Sequence, residues 1–361
     1  MRHPDKDPAL VVRETQPFNA GTPLDRLCQS FVTPCELFYV RNHGDVPEIS
    51  ADGYTLTITG MVRTPLRLTP TELRRRFTHR TLAATLECAG NRRDELARLA
   101  PIPRELLWGA DAIGNALWGG VALADVLSAA GIEPQAKHVA FTGLDQIAKQ
   151  GRRFGFGASI PLDKALSPEV LLAYEMNGAP LASIHGYPLR VVVPGYIGAR
   201  SVKWLAEVRA QAEPSANYYQ AHAYKLFPPE VTAETVDWSQ GTMLGQQPIS
   251  AVICIPAEGA RVPGERVIVR GYAYAGGRGV ARVEVSCDGQ APWTEATLKP
   301  EQGPWTWRLW EAALSLHPET RQIVARAWDG DGNGQPEDLA ATWNFKGYLN
   351  TAWHRITIRR E

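Results

Sequence analysis

The chain has 361 residues, 44% of them hydrophobic and 21% charged, and no run of about 18 apolar residues, which excludes a disordered tail, a fibre or a helical membrane protein and leaves room for two domains. Lys plus Arg and Asp plus Glu number 38 each, so no bulk field exists to hold nucleic acid or an anionic membrane, and any anion must be caught by a local cluster. Five cysteines without a close pair (Cys28, Cys35, Cys88, Cys254 and Cys287) point to a reducing compartment rather than a disulfide framework. Residues 1–20 lack the apolar core of an export leader, so the expected location is the cytoplasm unless a leader lies outside this sequence.

From about 51 to 205 strands and short helices mix. Tyr54–Thr59 alternates with period two and reads as a strand. Thr69 offers a helix cap, followed by Pro70 at the first helical position and Glu72 three residues after the cap. Val121–Ala130 and Glu169–Met176 read as helices, and Leu189–Val193 as a β-branched run closed by Pro194 and Gly195. Residues 211–247, with Pro214, Pro228 and Pro229, read as an irregular connection. Beyond about 248 strand candidates recur at Arg266–Tyr274, Val280–Cys287, Pro304–Leu309, Gln322–Trp328 and Ala341–Phe345, separated by Gly-rich turns. The expected architecture is an α+β domain, residues 1–247, followed by an all-β immunoglobulin-like sandwich, residues 248–361.

Cys88 lies in Thr85-Leu86-Glu87-Cys88-Ala89-Gly90-Asn91-Arg92-Arg93. Positive charge beside it would favour a thiolate suited to a soft metal, whereas a buried inert cysteine next to a surface Arg pair is the alternative. No zinc spacing accompanies it. Arg41, Arg190 and Lys203 each sit beside Gly or capping-type residues, where backbone amides can approach an anion. Singly each reads as a solvated charge, and together they suggest an anion site. Asp329–Gly334 begins like a calcium loop, but Ala340 stands where a bidentate Glu belongs, so it reads as a hairpin turn. His79, His138 and His317 have no partner at ligand spacing.

These segments, with Ala112–Ala116, Trp118-Gly119-Gly120, Leu171–Gly178, His185–Leu205, Tyr224–Pro229 and Asn350–Arg355, resemble the sulfite oxidase family in its haem-free, plant-like form, from about Pro17 to Ile358. The resemblance implies a molybdopterin-binding domain of the sulfite oxidase fold and a homodimer through the sandwich. It also implies a molybdenum–molybdopterin cofactor whose metal is held by two dithiolene sulfurs and the Cys88 thiolate. Tyr39, Val40, Arg41, Asn42, His43, Asp145, His185, Arg190, Ser201, Val202 and Lys203 match positions that bind the pterin and its phosphate. Arg41, Arg93, Trp108, Tyr224 and, near the C-terminus, Lys346 match the substrate pocket, where they would hold an oxyanion. The implied reaction is oxidation of sulfite to sulfate, with electrons passing to dioxygen or an external acceptor. No Cys-x-x-Cys-His occurs, and no haem is expected.

Three positions depart from the family pattern. Lys346 stands in place of an Arg, keeping the charge but losing the planar fork, and Ala223 and Ile184 stand in place of acidic residues. Nitrate reductases resemble the chain at the Cys88 motif, but usually carry Met at the Lys346 position and lack the Tyr224–Pro229 segment. A binding or scaffold protein with this fold and no working cofactor is the rival from another class.

Overall fold

The computed structural model describes residues 4–149 and 151–360. In the first half one sheet runs, in spatial order, Gly157–Pro161, His138–Gly143, Leu205–Gln211, Leu56–Gly60 and Leu66–Leu68, with only the Leu205–Gln211 and Leu56–Gly60 pair parallel. The other runs Ala179–Pro180, Leu171–Met176, Ile113–Ala122 and His79–Glu87, all antiparallel, with Arg190–Val192 also paired to Leu171–Met176. Ile58, Val126, Phe141, Leu172 and Val191 belong to the core the two sheets share.

The cap at Thr69 forms as its sequence requires. Glu72 N–H donates to Thr69 Oγ1 at 3.2 Å, and Thr69 N–H donates to Glu72 Oε2 at 2.9 Å, starting the helix Pro70–Arg76. Two helix readings need correction. Strand Ile113–Ala122 takes the first two residues expected in a helix, leaving Leu123–Ala130 helical. Glu169–Met176 is no helix: Leu171–Met176 is a central strand, paired on both edges and buried at Leu171, Leu172, Ala173 and Tyr174. Buried on both faces, it has lost the alternation that separates a strand from a helix.

The second half is a two-sheet, immunoglobulin-like sandwich. Ser250–Ile255, Arg266–Tyr274, Arg308–Ser315 and Thr297–Leu298 form one sheet. Ala260–Val262, His354–Arg360, Gln322–Asp329, Val280–Cys287 and Thr294–Glu295 form the other. The run expected at Pro304–Leu309 begins its strand only at Arg308, because Trp305 and Trp307 make backbone contacts to Thr85 of the first domain. Ala341–Phe345 is not a strand: its first two residues end a 3-10 turn at Leu339–Thr342, capped by the Asp338 side chain. Strand His354–Arg360 escaped the sequence reading. The Asp329 carboxylate accepts from Asp331 N–H and Asn333 N–H and pairs with Arg278, which makes the segment a turn. Among the described residues no helix is long and apolar enough to cross a membrane.

The sandwich holds the Cys88 segment in place. Tyr272, Tyr274 and Trp307 pack against Leu27, Ala110 and Ile113. Asn91 donates to the Tyr272 hydroxyl at 3.0 Å, which donates to Ala110 O at 2.9 Å, and Gln247 donates to Glu87 O at 3.0 Å. Arg92 is fully buried in the left-handed region at φ 64°, a costly conformation for a side chain of its size. A two-pronged pair with Glu95, both contacts 2.8 Å, and donation to Ala352 O at 2.8 Å hold it there.

His354, in the same junction, accepts from Ile253 N–H through Nδ1 at 3.2 Å. Burial, and then repulsion from Arg92, lower its pKa from 6.5 to about 4. The unfolded chain therefore takes up a proton that the native state refuses. The stability present above pH 6.5 falls as pH drops toward 4, by at most about 3 kcal/mol from this group. Denaturant midpoints of wild type and His354→Gln over this range check the point. The variant, which keeps an acceptor, should show the shallower pH slope, and equal slopes would contradict the assignment.

Candidate active site

The Tyr39–His43 segment is carried by the N-terminal hairpin of Val11–Thr15 and Phe18–Gly21. Val40 and Ala20 exchange backbone hydrogen bonds of 2.8 and 3.0 Å, and Asn42 N–H donates to Asn19 Oδ1 at 2.6 Å. Cys88 directly follows strand His79–Glu87, and His185 ends the 3-10 turn Ser183–His185. Gly186 then turns the chain at φ 108°, where a Cβ would stand 3.0 Å from that of Arg190 and 3.2 Å from that of Lys203. Ser201–Lys203 follow a second 3-10 turn, Gly198–Arg200. Each segment thus reaches the site from the end of a short element.

They meet in one cleft. Tyr39, Val40, Arg41, Asn42, His43, Cys88, Asp145, His185, Arg190, Ser201, Val202 and Lys203 all line it, and Tyr224 completes the wall. Among the lining residues Arg41, Arg190 and Lys203 are cationic and Asp145 is the one carboxylate. Asp145 is engaged by Phe156 N–H at 2.8 Å, while among the described residues the Lys203 ammonium donates to the neutral acceptors Asn42 Oδ1 and Ile184 O. Arg190 donates to His185 O at 3.0 Å and Ser201 O at 3.1 Å and lies 4.9 Å from the Trp118 ring centre. Burial, then repulsion from Arg190, holds the Lys203 pKa well below its ordinary value, and burial brings Arg190 down to about 10. Burial, then Arg41 and Lys203, hold the His43 pKa well below its ordinary value, and burial, then Lys6 and Lys203, do the same to His185. Positive charge gathered against a single carboxylate in a buried cleft is relieved by an anionic ligand.

Cys88 is buried at the edge of this cleft, its Sγ accepting from Gly90 N–H at 3.4 Å. Burial pushes its thiol up, and the neighbouring Arg41 and Arg93 pull it down, as the sequence suggests, by less. Arg92 and Arg93 do not form a surface pair. Arg92 turns to Glu95, and Arg93 is buried against the C-terminal segment, donating to Lys346 O at 3.0 Å, Gly347 O at 3.1 Å and Leu106 O at 2.8 Å. Gly90 permits this, since a Cβ there would come within 2.5 Å of the Arg93 guanidinium carbon.

The residues matched to the substrate pocket do not all reach the cleft. Tyr224 hydrogen-bonds His43 Nε2 at 3.0 Å and stacks on Tyr348, ring centres 5.3 Å apart, with the Arg93 guanidinium 5.0 Å over the other ring. Lys346 pairs with Glu105 and lies 6.0 Å from the Tyr348 ring centre, outside the cleft lining. Trp108 is wholly enclosed in the apolar cluster that holds Cys88 and Phe38, and its indole Nε1 has no hydrogen-bond partner among the described residues. Sequence reasoning missed Tyr348 and Glu105. Tyr348 lies between Lys346 and the Asn350–Arg355 segment, and nothing local distinguishes it or Glu105.

Among the described residues no group of three or more His, Cys, Asp or Glu side chains could hold a metal. One buried thiol beside a cationic cleft fits a metal that arrives on an anionic, sulfur-bearing organic ligand.

The family model "Oxidoreductase molybdopterin binding domain" matches residues 43–219, and "Mo-co oxidoreductase dimerisation domain" matches 242–361. The chain is 40% identical over 380 residues to sulfite oxidase of Arabidopsis thaliana, covering 99% of this chain and 96% of that protein. It is 44% identical over 363 residues to sulfite oxidase of Gallus gallus, covering 98% and 78%. Among solved structures the sulfane dehydrogenase SoxCD of Paracoccus pantotrophus superimposes with a TM-score of 0.79 at 25% identity, over 96% of this chain and 88% of that one. With both domains matched and curated relatives aligned along nearly its whole length, the chain belongs to the sulfite oxidase family of molybdopterin-binding oxidoreductases.

Proposed function

We propose that the protein oxidises sulfite to sulfate at a molybdenum–molybdopterin cofactor ligated by Cys88, and passes the electrons to dioxygen or to an external acceptor. The observation that carries this reading is the cleft itself: three cations against one carboxylate, with a buried thiol at its edge. When bound, the cofactor supplies the two-electron redox chemistry. Arg190, Lys203 and His185 would hold its anionic parts by charge-assisted and directed hydrogen bonds, and Asp145 would take its donors. Arg41 and Tyr224, which line the cleft close to Cys88, would orient the substrate oxyanion. Arg93 and Tyr348 would stiffen Tyr224 from behind, as their stacked geometry supports. The division falls between residues 247 and 248, and the sandwich would carry a two-fold homodimer. Light scattering that reports a monomer across micromolar concentrations would refute that assembly.

Lys346 tests the substrate side. Lys346→Met would leave Glu105 without its close partner, with only Arg93 at 3.8 Å to balance it, so net positive charge beside Tyr348 falls. The sulfite KM should rise by roughly tenfold with kcat little changed, the pattern of lost ground-state binding. Lys346→Arg should keep or lower KM. Identical KM and identical sulfate inhibition in wild type and both variants would place Lys346 outside the pocket. The activity itself is tested by sulfite-dependent reduction of ferricyanide, cytochrome c and dioxygen in separate steady-state assays. No sulfite-dependent turnover with any of them, in protein that contains molybdenum, would overturn the reading.

A further inference from the structure

Lys6 belongs to the N-terminal segment, yet its ammonium lies deep beside the cofactor cleft. It donates to Cys35 O and to Phe38 O at 2.7 Å, and it lies 2.9 Å from Nε2 of His185. An ammonium group has three N–H donors, so one remains for the imidazole nitrogen. Lys6 is 7% exposed and His185 3%. Among the described residues no carboxylate hydrogen-bonds it, and burial lowers the Lys6 pKa to about 7 against the opposing pull of Cys35, Glu36 and Asp5. A lysine placed at such cost has its clearest consequence at the one titratable acceptor it meets.

The two nitrogens of a neutral imidazole are a donor and an acceptor, and the partner of one fixes the role of the other. His185 lines the cleft, and Phe38 packs edge-on against its ring with centres 5.6 Å apart. Cys35 O also lies 3.3 Å from Nε2 and could accept a proton carried there, but the Lys6 contact is shorter and Cys35 O already accepts from the same ammonium. We propose that Lys6 is a positioning residue of the cofactor cleft: by donating to Nε2 it fixes His185 in the tautomer protonated at Nδ1, which turns the imidazole into an N–H donor for an anionic or carbonyl oxygen of the pterin ligand. The cleft gains a directed donor without a further charge beside Arg190 and Lys203. The role toward the ligand rests on the molybdopterin reading above, whereas the tautomer does not.

The tautomer is read by long-range ¹⁵N–¹H correlation of the histidine rings, with His185→Gln to assign the signal. Wild type should show Nδ1–H, and Lys6→Met should shift His185 to Nε2–H, now donating to Cys35 O, with cofactor retention about tenfold weaker. Lys6→Arg should keep the wild-type tautomer and most of the molybdenum, and a thermal melt of Lys6→Met separates loss of fold from loss of ligand. Nε2–H in wild type that carries full molybdenum overturns the Lys6 inference alone, as does a folded Lys6→Met with unchanged tautomer and content. Nδ1–H in wild type that takes up no molybdopterin sinks the cofactor reading and the role given to the tautomer with it.

Discussion

Replacing Cys88 with serine is expected to abolish sulfite turnover while leaving the fold nearly intact. A hydroxyl is almost isosteric with a thiol but is a poor ligand for a soft, sulfur-bound metal. Among the described residues one hydrogen bond reaches the Cys88 side chain, from Gly90 N–H at 3.4 Å, and a serine oxygen is an acceptor too. The surrounding loop is held by contacts that do not involve the sulfur: Arg92 with Glu95 and Ala352, Asn91 with Tyr272, and Gln247 with Glu87. Melting should therefore change little. A molybdenum-loaded Cys88→Ser sample that turns over sulfite near the wild-type rate would remove Cys88 from the metal's ligand shell.

Lys203→Ala and Arg190→Ala should both deplete the cofactor, since each removes a charge-assisted contact worth roughly 1.5–3 kcal/mol, or about 10- to 150-fold in affinity. Their effects on stability should differ. The Lys203 ammonium is buried against neutral acceptors, and its pKa is held far down by burial, so the cofactor-free protein gains by losing it or is unchanged. Arg190 ties together the carbonyls of His185 and Ser201, and its loss leaves both unpaired, which should lower stability as well. Molybdenum analysis paired with melts of the metal-free proteins separates the two contributions. Full occupancy in both variants would contradict the placement of these residues on the ligand.

How far the sequence reached varies by element. The capped helix at Pro70 was legible because Thr69 and Glu72 satisfy each other within four residues, and Arg266–Tyr274 and Val280–Cys287 because they are long strands flanked by Gly-rich turns. Leu171–Met176 was not, since a strand buried on both faces carries no alternation. Arg41, Arg190 and Lys203 read one by one as solvated charges and together as an anion site, and the fold brings them to one cleft. Tyr348, Glu105 and Lys6 stayed hidden for a shared reason. Their partners are remote in the chain: Lys6 meets a histidine 179 positions away, and Glu105 a lysine 241 positions away, separations at which no local pattern survives.

The central claim is that this cleft holds a redox-active molybdopterin through Cys88. Anaerobic titration of the purified protein with sulfite tests it most directly, following the visible absorption of the bound centre and the sulfate released, with molybdenum and pterin determined on the same sample. One molybdenum and one pterin per chain should be found, with spectral change complete at one equivalent of sulfite and one sulfate formed per molybdenum. A fully molybdopterin-loaded sample whose absorption does not change with sulfite and which forms no sulfate would contradict it.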